Sequence, residues 1–281
     1  MNVDNLLRAA LGIPFDYNLS DEELVALREL TVGVVPYFVA FTARSGSTFL
    51  THELHSTGVL SRPHEWFNWD YVKETGPKGN KTFTEYFNKT LEENRSKNGV
   101  FGCEINWLQL KALGSLMQPQ SLFKNKIRWF YLRRRNVVAQ AISNFIADKT
   151  SFFHSYQGND SAFEKVASLE YDAEAIKMYV QNFVQQELSF DKWFHDNNIV
   201  PVDLFYEDIT REPSRTSMLF ANVLGAALPL NFGKTRVVNP IAKIGGEQNR
   251  LYEERFRKEE REFVHSQFKL RSQILEASKT V

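Results

Sequence analysis

The sequence predicts an α/β fold in which helices flank a central parallel sheet in three layers. Short apolar runs that predict strands begin near residues 37, 100, 127 and 201, and stretches with the apolar spacing of helices separate them. Strands that alternate with long helices are typical of a parallel sheet. The chain has 281 residues, which is enough for one such domain over residues 1–281.

The segments outside the sheet receive their own predictions. Residues 1–36 form a helical lead-in, where the pattern Ser-Asp-Glu-Glu at residues 20–23 is a capping box that starts a helix. The polar residues 73–99 predict an excursion from the sheet that contains a helix over residues 83–94. The charged stretch over residues 250–281 predicts a C-terminal helix.

Composition and charge argue against several function classes. Lys plus Arg equals Asp plus Glu at 34 each, which disfavours a protein that binds nucleic acid or a membrane surface through bulk charge. The single cysteine, Cys103, excludes an internal disulfide and a cysteine-based metal cage. We find no signal peptide before the first strand and no apolar run near the ~20 residues of a membrane span. We therefore expect a cytoplasmic protein.

The segment over residues 37–58 combines a predicted strand, a turn of small residues and a helix. N–H groups in such a turn and in the first helical turn lack partners, and the helix dipole adds about half a positive charge there. We therefore predict a phosphate-binding loop formed by Arg44, Ser45, Gly46, Ser47 and Thr48. The loop is P-loop-like, although it lacks the first glycine and the lysine of G-x-x-x-x-G-K-[ST]. The alternative is a hydroxyl-rich turn that only caps the helix.

Three consecutive arginines follow the strand predicted over residues 127–132. Ligands of open parallel sheets bind beyond the carboxyl ends of the strands, so Arg133, Arg134 and Arg135 are expected at the same edge as the loop. Ser143, in the helix that follows, has the spacing to face back over this edge. These residues predict a second anion site, and the alternative is a solvated turn with surface ion pairs.

The connection that leaves the loop's helix carries a candidate acid/base. Glu65 and His64 follow Pro63, which stops any helix at the residue before it. A carboxylate beside a phosphate site can accept a proton from a substrate hydroxyl, and His64 is the fallback for this role. The alternative is that Glu65 is solvated and that the aromatic residues beside it belong to the core.

Four motifs in the right order give the chain a resemblance to sulfotransferases that use 3′-phosphoadenosine 5′-phosphosulfate (PAPS). It looks closest to the Stf0 family of bacterial carbohydrate sulfotransferases, whose known member sulfates trehalose. Residues 43–48 resemble the family's 5′-phosphosulfate loop, with Arg where many sulfotransferases have Lys. Residues 57–67 resemble the stretch with its proposed catalytic glutamate, here Glu65. Residues 134–143 resemble the 3′-phosphate motif, and residues 205–213 the late strand-and-helix segment.

The resemblance implies an enzyme that moves a sulfuryl group in line from PAPS to a carbohydrate or glycolipid hydroxyl and releases adenosine 3′,5′-bisphosphate. It assigns catalytic roles to Glu65, the general base, and to Arg44, and it allows a homodimer. Ser143 and one arginine would hold the 3′-phosphate. Similarity to Stf0 favours Arg134, whereas the spacing to serine in other sulfotransferases favours Arg135.

The acceptor side of the site is the least defined part of the resemblance. The family often has a basic residue where this chain has Glu104, so Glu104 is expected either to bind a sugar or to act as a second acid/base. A wall that stacks on the sugar is expected from Trp66, Phe67 and Trp69, with His64 beside it.

Two other functions stay open at this stage. A metal-dependent P-loop kinase shares the fold class, but neither predicted anion site contains a carboxylate, so no Mg²⁺ is required. A non-catalytic module that binds a nucleotide or a glycan would use the anion sites without Glu65. An enzyme needs Glu65 as a base and a binding module does not, and this requirement separates an enzyme from a binding module.

Overall fold

The computed structural model describes residues 20–68, 72, 83–151, 160–230, 232 and 246–277. Among these residues the sheet consists of β1 (Val35–Phe41), β2 (Val100–Ile105), β3 (Arg128–Arg133) and β4 (Val202–Phe205). All neighbouring strands run parallel, in the order β2-β1-β3-β4. The predicted central parallel sheet is confirmed.

Helices connect and cover these strands. In chain order they are α1 (Asp21–Leu30), α2 (Ser47–His55), α3 (Phe83–Asn94), α4 (Trp107–Leu116), α5 (Val137–Thr150), α6 (Asp160–Ala167), α7 (Ala173–Asp196), α8 (Tyr206–Arg211), α9 (Pro213–Leu224), α10 (Gly246–Glu259) and α11 (Arg261–Ala277). The predicted helix over residues 83–94 is confirmed. Of the predicted excursion over residues 73–99, residues 73–82 lie outside the described residues.

The helix starts and stops follow local sequence signals in some places and depart from them in one. The capping box of α1 is confirmed, because Glu23 donates its N–H to Ser20 Oγ at 3.2 Å and accepts from the Ser20 N–H at 2.9 Å. The C-terminal helix predicted over residues 250–281 is divided in two, since α10 and α11 are separated at Glu260, and residues 278–281 lie outside the described residues. Every residue from 257 to 262 is charged, so no apolar side chain anchors a straight helix across this point.

Side chains along β1 alternate between the two faces of the sheet. Phe38 and Ala40 face a core shared with α1, α3, α4 and α7, whereas Tyr37 and Val39 face a core shared with α2 and α9. A third core joins α5, α7, α10 and α11. Helices on both faces produce the three predicted layers, and the parallel strands all direct their carboxyl ends to one edge. The candidate site lies at this edge.

Candidate active site

The loop between β1 and α2 has a backbone path that few residues adopt. Arg44 has a φ angle of 62° and Gly46 one of 94°, both in the left-handed region. A Cβ atom at Gly46 would lie 2.4 Å from Cδ2 of Tyr206, so only glycine fits without displacing that ring. Gly46 precedes α2, whose first N–H groups have no partner within the helix. A non-glycine residue at positive φ, here Arg44, is typical of functional sites.

A buried glutamine fastens this loop to the next helix along the edge. Gln140, in α5, is fully buried. Its Nε2 donates to Thr42 Oγ1 at 2.8 Å and to the Ala43 carbonyl at 2.7 Å. The sequence analysis missed Gln140, although a polar residue within the apolar run of α5 was a usable signal. The two hydrogen bonds fix the loop relative to the helix that carries Ser143.

The two predicted anion sites lie in contact with each other. Arg44 Nε donates to Ser143 Oγ at 3.1 Å, so the serine of α5 faces the loop as its spacing predicted. Burial lowers the pKa of Arg44, and the neighbouring charge of Arg134 lowers it further. Burial also lowers the pKa of Arg134. Two partly buried guanidinium groups that interact electrostatically, one of them bonded to the Ser143 hydroxyl, form a single basic region.

The three consecutive arginines differ in their surroundings. Arg133 is the last residue of β3 and so lies at the predicted edge, but it is 1% exposed and pairs with Asp203 at 2.5 Å. Arg135 forms a half-exposed ion pair with Asp208 at 2.6 Å, which was the alternative given for this cluster. Arg134 lies with its guanidinium 4.8 Å from the ring centre of Tyr206. Within the described residues, Arg134 is the one of the three that is neither fully buried nor in an ion pair.

Buried polar atoms without a hydrogen-bond partner among the described residues occur in this region at Arg133 and Gln140 and at two further positions beside the loop. These two are the Ser45 hydroxyl oxygen and the Nε of Arg134. Buried polar groups in proteins are hydrogen-bonded in the great majority of cases. An anion that accepts from a guanidinium and a hydroxyl would satisfy both atoms, so the residues present fit a phosphate-bearing ligand.

The segment that carries Glu65 runs along the outer side of β2. His64 pairs with Cys103 in a parallel bridge, and the N–H of Glu104 donates to the His64 carbonyl at 2.9 Å. The N–H of Gly102 donates to Ser61 Oγ at 2.9 Å. This pairing leads the chain back along the sheet, and Glu65 consequently lies near the carboxyl end of β2.

The Glu65 carboxylate is held by a neighbouring helix. Its Oε2 accepts a hydrogen bond of 2.5 Å from Nε2 of Gln109, in α4. Burial raises the pKa of Glu65, and the hydrogen bonds from Gln109 and Asn68 lower it. Gln109 was not among the predicted site residues. It orients one carboxylate oxygen of Glu65 and leaves the group with a stronger affinity for a proton than an exposed glutamate has.

Glu104 lies between Glu65 and the loop that joins β1 to α2. Its buried carboxylate accepts a hydrogen bond from the Thr51 hydroxyl in α2. Burial raises its pKa to about 8, the charge of Glu65 raises it too, and hydrogen bonds from Thr51 and Ser47 lower it. Glu104 is therefore largely protonated at neutral pH and links the loop to the Glu65 segment.

The aromatic wall predicted beside Glu65 is wrong for two of its members. Trp66 is 8% exposed and Phe67 is 0% exposed, and both pack in the core on one face of the sheet. Trp66 also donates from Nε1 to the Gly102 carbonyl at 2.9 Å. These two rings are the core residues of the alternative interpretation. The predicted third member, Trp69, lies outside the described residues.

His64 is the residue of this group that stays half-buried. Its ring lies 4.9 Å from the ring of Trp66. Burial lowers the pKa of His64, and the charge of Arg62 lowers it further. The imidazole is accordingly neutral at pH 7, and it can accept or donate a hydrogen bond beside Glu65.

The family of the chain follows from its sequence. A model of the family described as Stf0 sulphotransferase matches residues 36–259. The chain belongs to the Stf0 sulfotransferase family. The matched range contains the loop, the Glu65 segment, Glu104, Arg134 and Ser143.

Curated relatives of this Stf0 chain include two mycobacterial enzymes. One is the trehalose 2-sulfotransferase of Mycobacterium tuberculosis, 26% identical over 233 residues, which cover 69% of this chain and 84% of the relative. The other is the trehalose 2-sulfotransferase of Mycolicibacterium smegmatis, 24% identical over 213 residues, which cover 62% of this chain and 78% of the relative.

Among solved structures, this Stf0 chain is similar to a sulfotransferase domain from the Synechococcus PCC 7002 olefin synthase. The TM-score is 0.38 at 13% identity, with 79% of this chain and 94% of the other covered. Within the described residues, no helix is long and apolar enough to cross a membrane, and no cluster of three or more His, Cys, Asp or Glu side chains could hold a metal ion.

Proposed function

We propose that the chain is a PAPS-dependent sulfotransferase that transfers a sulfuryl group to a hydroxyl of a carbohydrate or glycolipid. The observation that carries this proposal is the basic region in which Arg44 contacts Ser143 and lies beside Arg134. Membership of the Stf0 family supports the same activity. PAPS has two phosphate groups at separate positions, and the region offers cations and hydroxyls from both the loop and α5.

We assign the binding of PAPS, the sulfuryl donor, to residues of the loop after β1 and to residues just after β3 and in α5. Arg44, Ser45, Gly46, Ser47 and Thr48 would bind the 5′-phosphosulfate, and Arg134 with Ser143 would bind the 3′-phosphate. A bound anion opposes the repulsion between Arg44 and Arg134, which is a cause of the lowered pKa of Arg44. It also offers acceptors to the Ser45 hydroxyl and the Arg134 Nε. Arg135 is not assigned to the 3′-phosphate, because it forms an ion pair with Asp208.

Glu65 is proposed as the general base. The acceptor oxygen forms a bond to sulfur, the bond from sulfur to the 5′-phosphate oxygen breaks, and the acceptor proton passes to Glu65. Such proton transfer contributes about 10²- to 10⁴-fold. The raised pKa of Glu65 favours this role, because a stronger base accepts the proton more readily. Arg44 and the loop N–H groups would stabilise the charge that develops on the leaving phosphate.

The acceptor is proposed to be a sugar hydroxyl. Both curated relatives are named trehalose 2-sulfotransferases, and this supports a carbohydrate. The polar groups available beside Glu65 are His64 and Glu104. A neutral imidazole and a protonated carboxyl can both donate hydrogen bonds to sugar oxygens without adding negative charge next to the donor.

Ligand-dependent stability tests the donor assignment. Adenosine 3′,5′-bisphosphate without metal should raise the melting temperature, and at about 100 times its Kd the gain in unfolding free energy is about 2.7 kcal/mol. ATP with Mg²⁺ is the matched nucleotide control and should stabilise the protein less. Stabilisation by ATP with Mg²⁺ alone would favour the kinase and contradict the proposal.

Transfer of labelled sulfate tests the acceptor. The purified chain is incubated with PAPS and, in separate reactions, with trehalose, other disaccharides and glycolipids. Label should appear in at least one of these carbohydrates. Binding of the bisphosphate without transfer to any carbohydrate or glycolipid would contradict the acceptor class while leaving the donor assignment in place.

A further inference from the structure

We propose that Arg271, in α11, is a positioning residue that holds the strand-end turn, residues 134–136, in the orientation the donor site needs. The proposal rests on the proposed function, because Arg134 is the residue of this turn assigned to the donor. α11 begins after residue 259, where the match to the family ends. The role of Arg271 is therefore a feature of this chain that the family assignment does not supply.

Arg271 is a buried cation whose guanidinium N–H groups donate hydrogen bonds to one carboxylate and to two backbone carbonyls. Arg271 is 3% exposed, and Glu187 in α7 is 1% exposed. Arg271 donates from Nε to Glu187 Oε2 at 2.6 Å and from Nη2 to Oε1 at 2.8 Å. It also donates from Nη1 to the carbonyl of Arg135 at 2.7 Å and from Nη2 to the carbonyl of Arg134 at 2.6 Å.

The two carbonyls lie where the chain leaves β3 and has not yet entered α5. Strand pairing of β3 with β4 ends at Arg133, so the sheet does not fix the peptide planes that follow. A planar guanidinium can bond both carbonyls at once, whereas a lysine has one nitrogen at the end of a flexible chain. By fixing both planes, Arg271 sets the direction in which the side chain of Arg134 leaves the backbone.

Other hydrogen-bonding groups of the turn contact α8 and α10. The N–H groups of Arg135 and Asn136 donate to the Glu207 carboxylate at 3.1 and 3.3 Å. The Asn136 side chain accepts from Arg257 at 2.8 Å and donates to Glu253 at 2.7 Å. In the described part of the chain, the Arg134 Nε is the group at this turn that is buried without a partner. The turn thus leaves the Nε of Arg134 available to donate a hydrogen bond to a ligand.

Loss of Arg271 has two physical consequences. The two carbonyls lose their charged donors, and Glu187 becomes a buried carboxylate without its partner, which destabilises more than removal of both charges. A hydrogen bond from Arg134 to the charged ligand that is lost through misplacement should cost about 10- to 100-fold in affinity. Because Arg134 is assigned to donor binding and not to the reacting bond, the loss should be seen in donor affinity.

The test uses variants of the full chain. In the double variant Arg271→Met with Glu187→Leu, both buried charges are removed, so the protein retains no uncompensated carboxylate. Arg271→Lys retains a cation for Glu187 but not the fork that reaches both carbonyls. Val264→Ala is the control, because Val264 is a buried apolar residue of the same helix and its side chain offers no hydrogen bond to the turn.

Adenosine 3′,5′-bisphosphate is the probe for donor binding. In the double variant its Kd and the KM for PAPS should both rise about 10- to 100-fold, as expected when a hydrogen bond to a charged ligand is lost, while kcat at saturating PAPS stays within about threefold. Arg271→Lys should show a smaller rise, and Val264→Ala should keep the wild-type Kd although its melting temperature falls. A wild-type Kd in a folded double variant would overturn the proposal.

Hydrogen exchange separates this inference from the proposed function. Exchange of the backbone N–H groups over residues 134–139 is compared in the ligand-free double variant, the control and the wild type. If the wild type binds no bisphosphate, the proposed function fails, and faster exchange confined to the double variant still supports the role of Arg271 at the turn. Equal exchange in all three proteins overturns that role.

Discussion

The basic half of the site, Arg44, Arg134 and Ser143, and the acidic half, Glu65 and Glu104, respond to burial in opposite directions. Burial lowers the pKa values of the two arginines and raises those of the two glutamates. In both halves the charged state is the disfavoured one. An anionic ligand stabilises the charged state of the two arginines in the basic half. It also raises the electrostatic cost of ionising the two glutamates in the acidic half. One anionic ligand can therefore stabilise the charged arginines of the basic half and at the same time keep the pKa values of Glu65 and Glu104 high.

The largest expected effect would come from removing the base in the acidic half. Glu65→Gln should lower kcat by about 10²-fold or more, because the amide keeps the shape and the contact with Gln109 but cannot accept the proton. The Kd for adenosine 3′,5′-bisphosphate should stay unchanged. Steady-state assays with PAPS and the identified acceptor measure kcat, and calorimetry measures the Kd for the bisphosphate.

The matched control for this prediction is Glu22→Gln, an exposed carboxylate of α1, which should leave both quantities unchanged. Near-wild-type turnover of Glu65→Gln would end the assignment, and His64 and Glu104 would then be the candidates to examine.

A smaller effect is expected within the basic half, and it decides between two adjacent arginines. Arg134→Ala should raise the Kd for adenosine 3′,5′-bisphosphate about 10- to 100-fold, because a hydrogen bond to a charged group contributes about 1.5–3 kcal/mol. Arg135→Ala removes the half-exposed pair with Asp208 and should change the Kd by less than about threefold. Calorimetric titration of both variants measures the difference. Equal losses in the two variants would contradict the separation of their roles.

The last prediction concerns the pH dependence of stability in the acidic half, which is measured without substrate. The pKa of Glu104 is about 8 in the folded protein, above its ordinary value, so the carboxyl favours folding while it keeps its proton. As pH rises from about 4.5 to 8, the unfolded chain loses this proton first, and the stabilisation declines. Glu104→Gln removes this decline.

The measurement is urea unfolding at pH 5 and pH 8.5. The stability of the wild type relative to Glu104→Gln should fall between these two pH values by roughly 3–4 kcal/mol, because each unit of pKa difference between the folded and unfolded chain corresponds to about 1.4 kcal/mol. Asp191, with a pKa raised by burial to about 7, contributes equally to both proteins and cancels in the difference. A constant difference between the two proteins across this range would contradict the protonated state of Glu104.

The sequence was informative where structure is set by local patterns. The order of strand, turn and helix around Gly46 and the capping box at Ser20 depend on residues within a few positions, and both were predicted. The choice between Arg134 and Arg135 was not available, because it depends on Tyr206 and Asp208, about 70 residues later in the chain.

The errors near Glu65 have a similar physical origin. Aromatic residues after a proline suit both a loop and a core, and only their packing against the sheet shows that Trp66 and Phe67 are buried. The return of Glu65 to the sheet edge was expected from its role, but the pairing of His64 with Cys103 that produces it is a non-local contact that periodicity cannot reveal. Gln109 was overlooked because its contact with Glu65 joins residues 44 positions apart.

The segment that pairs along β2 also bears on how the protein behaves at high concentration. An outer strand with free N–H and C=O groups is a template on which a second chain can add a strand and aggregate. Here Ser61, His64 and Trp66 bond the Gly102 and Glu104 backbone groups on that side. The stretch that brings Glu65 to the sheet thus closes this part of β2 to other chains. Weakening it would favour self-association together with loss of activity, and the two defects would share one cause.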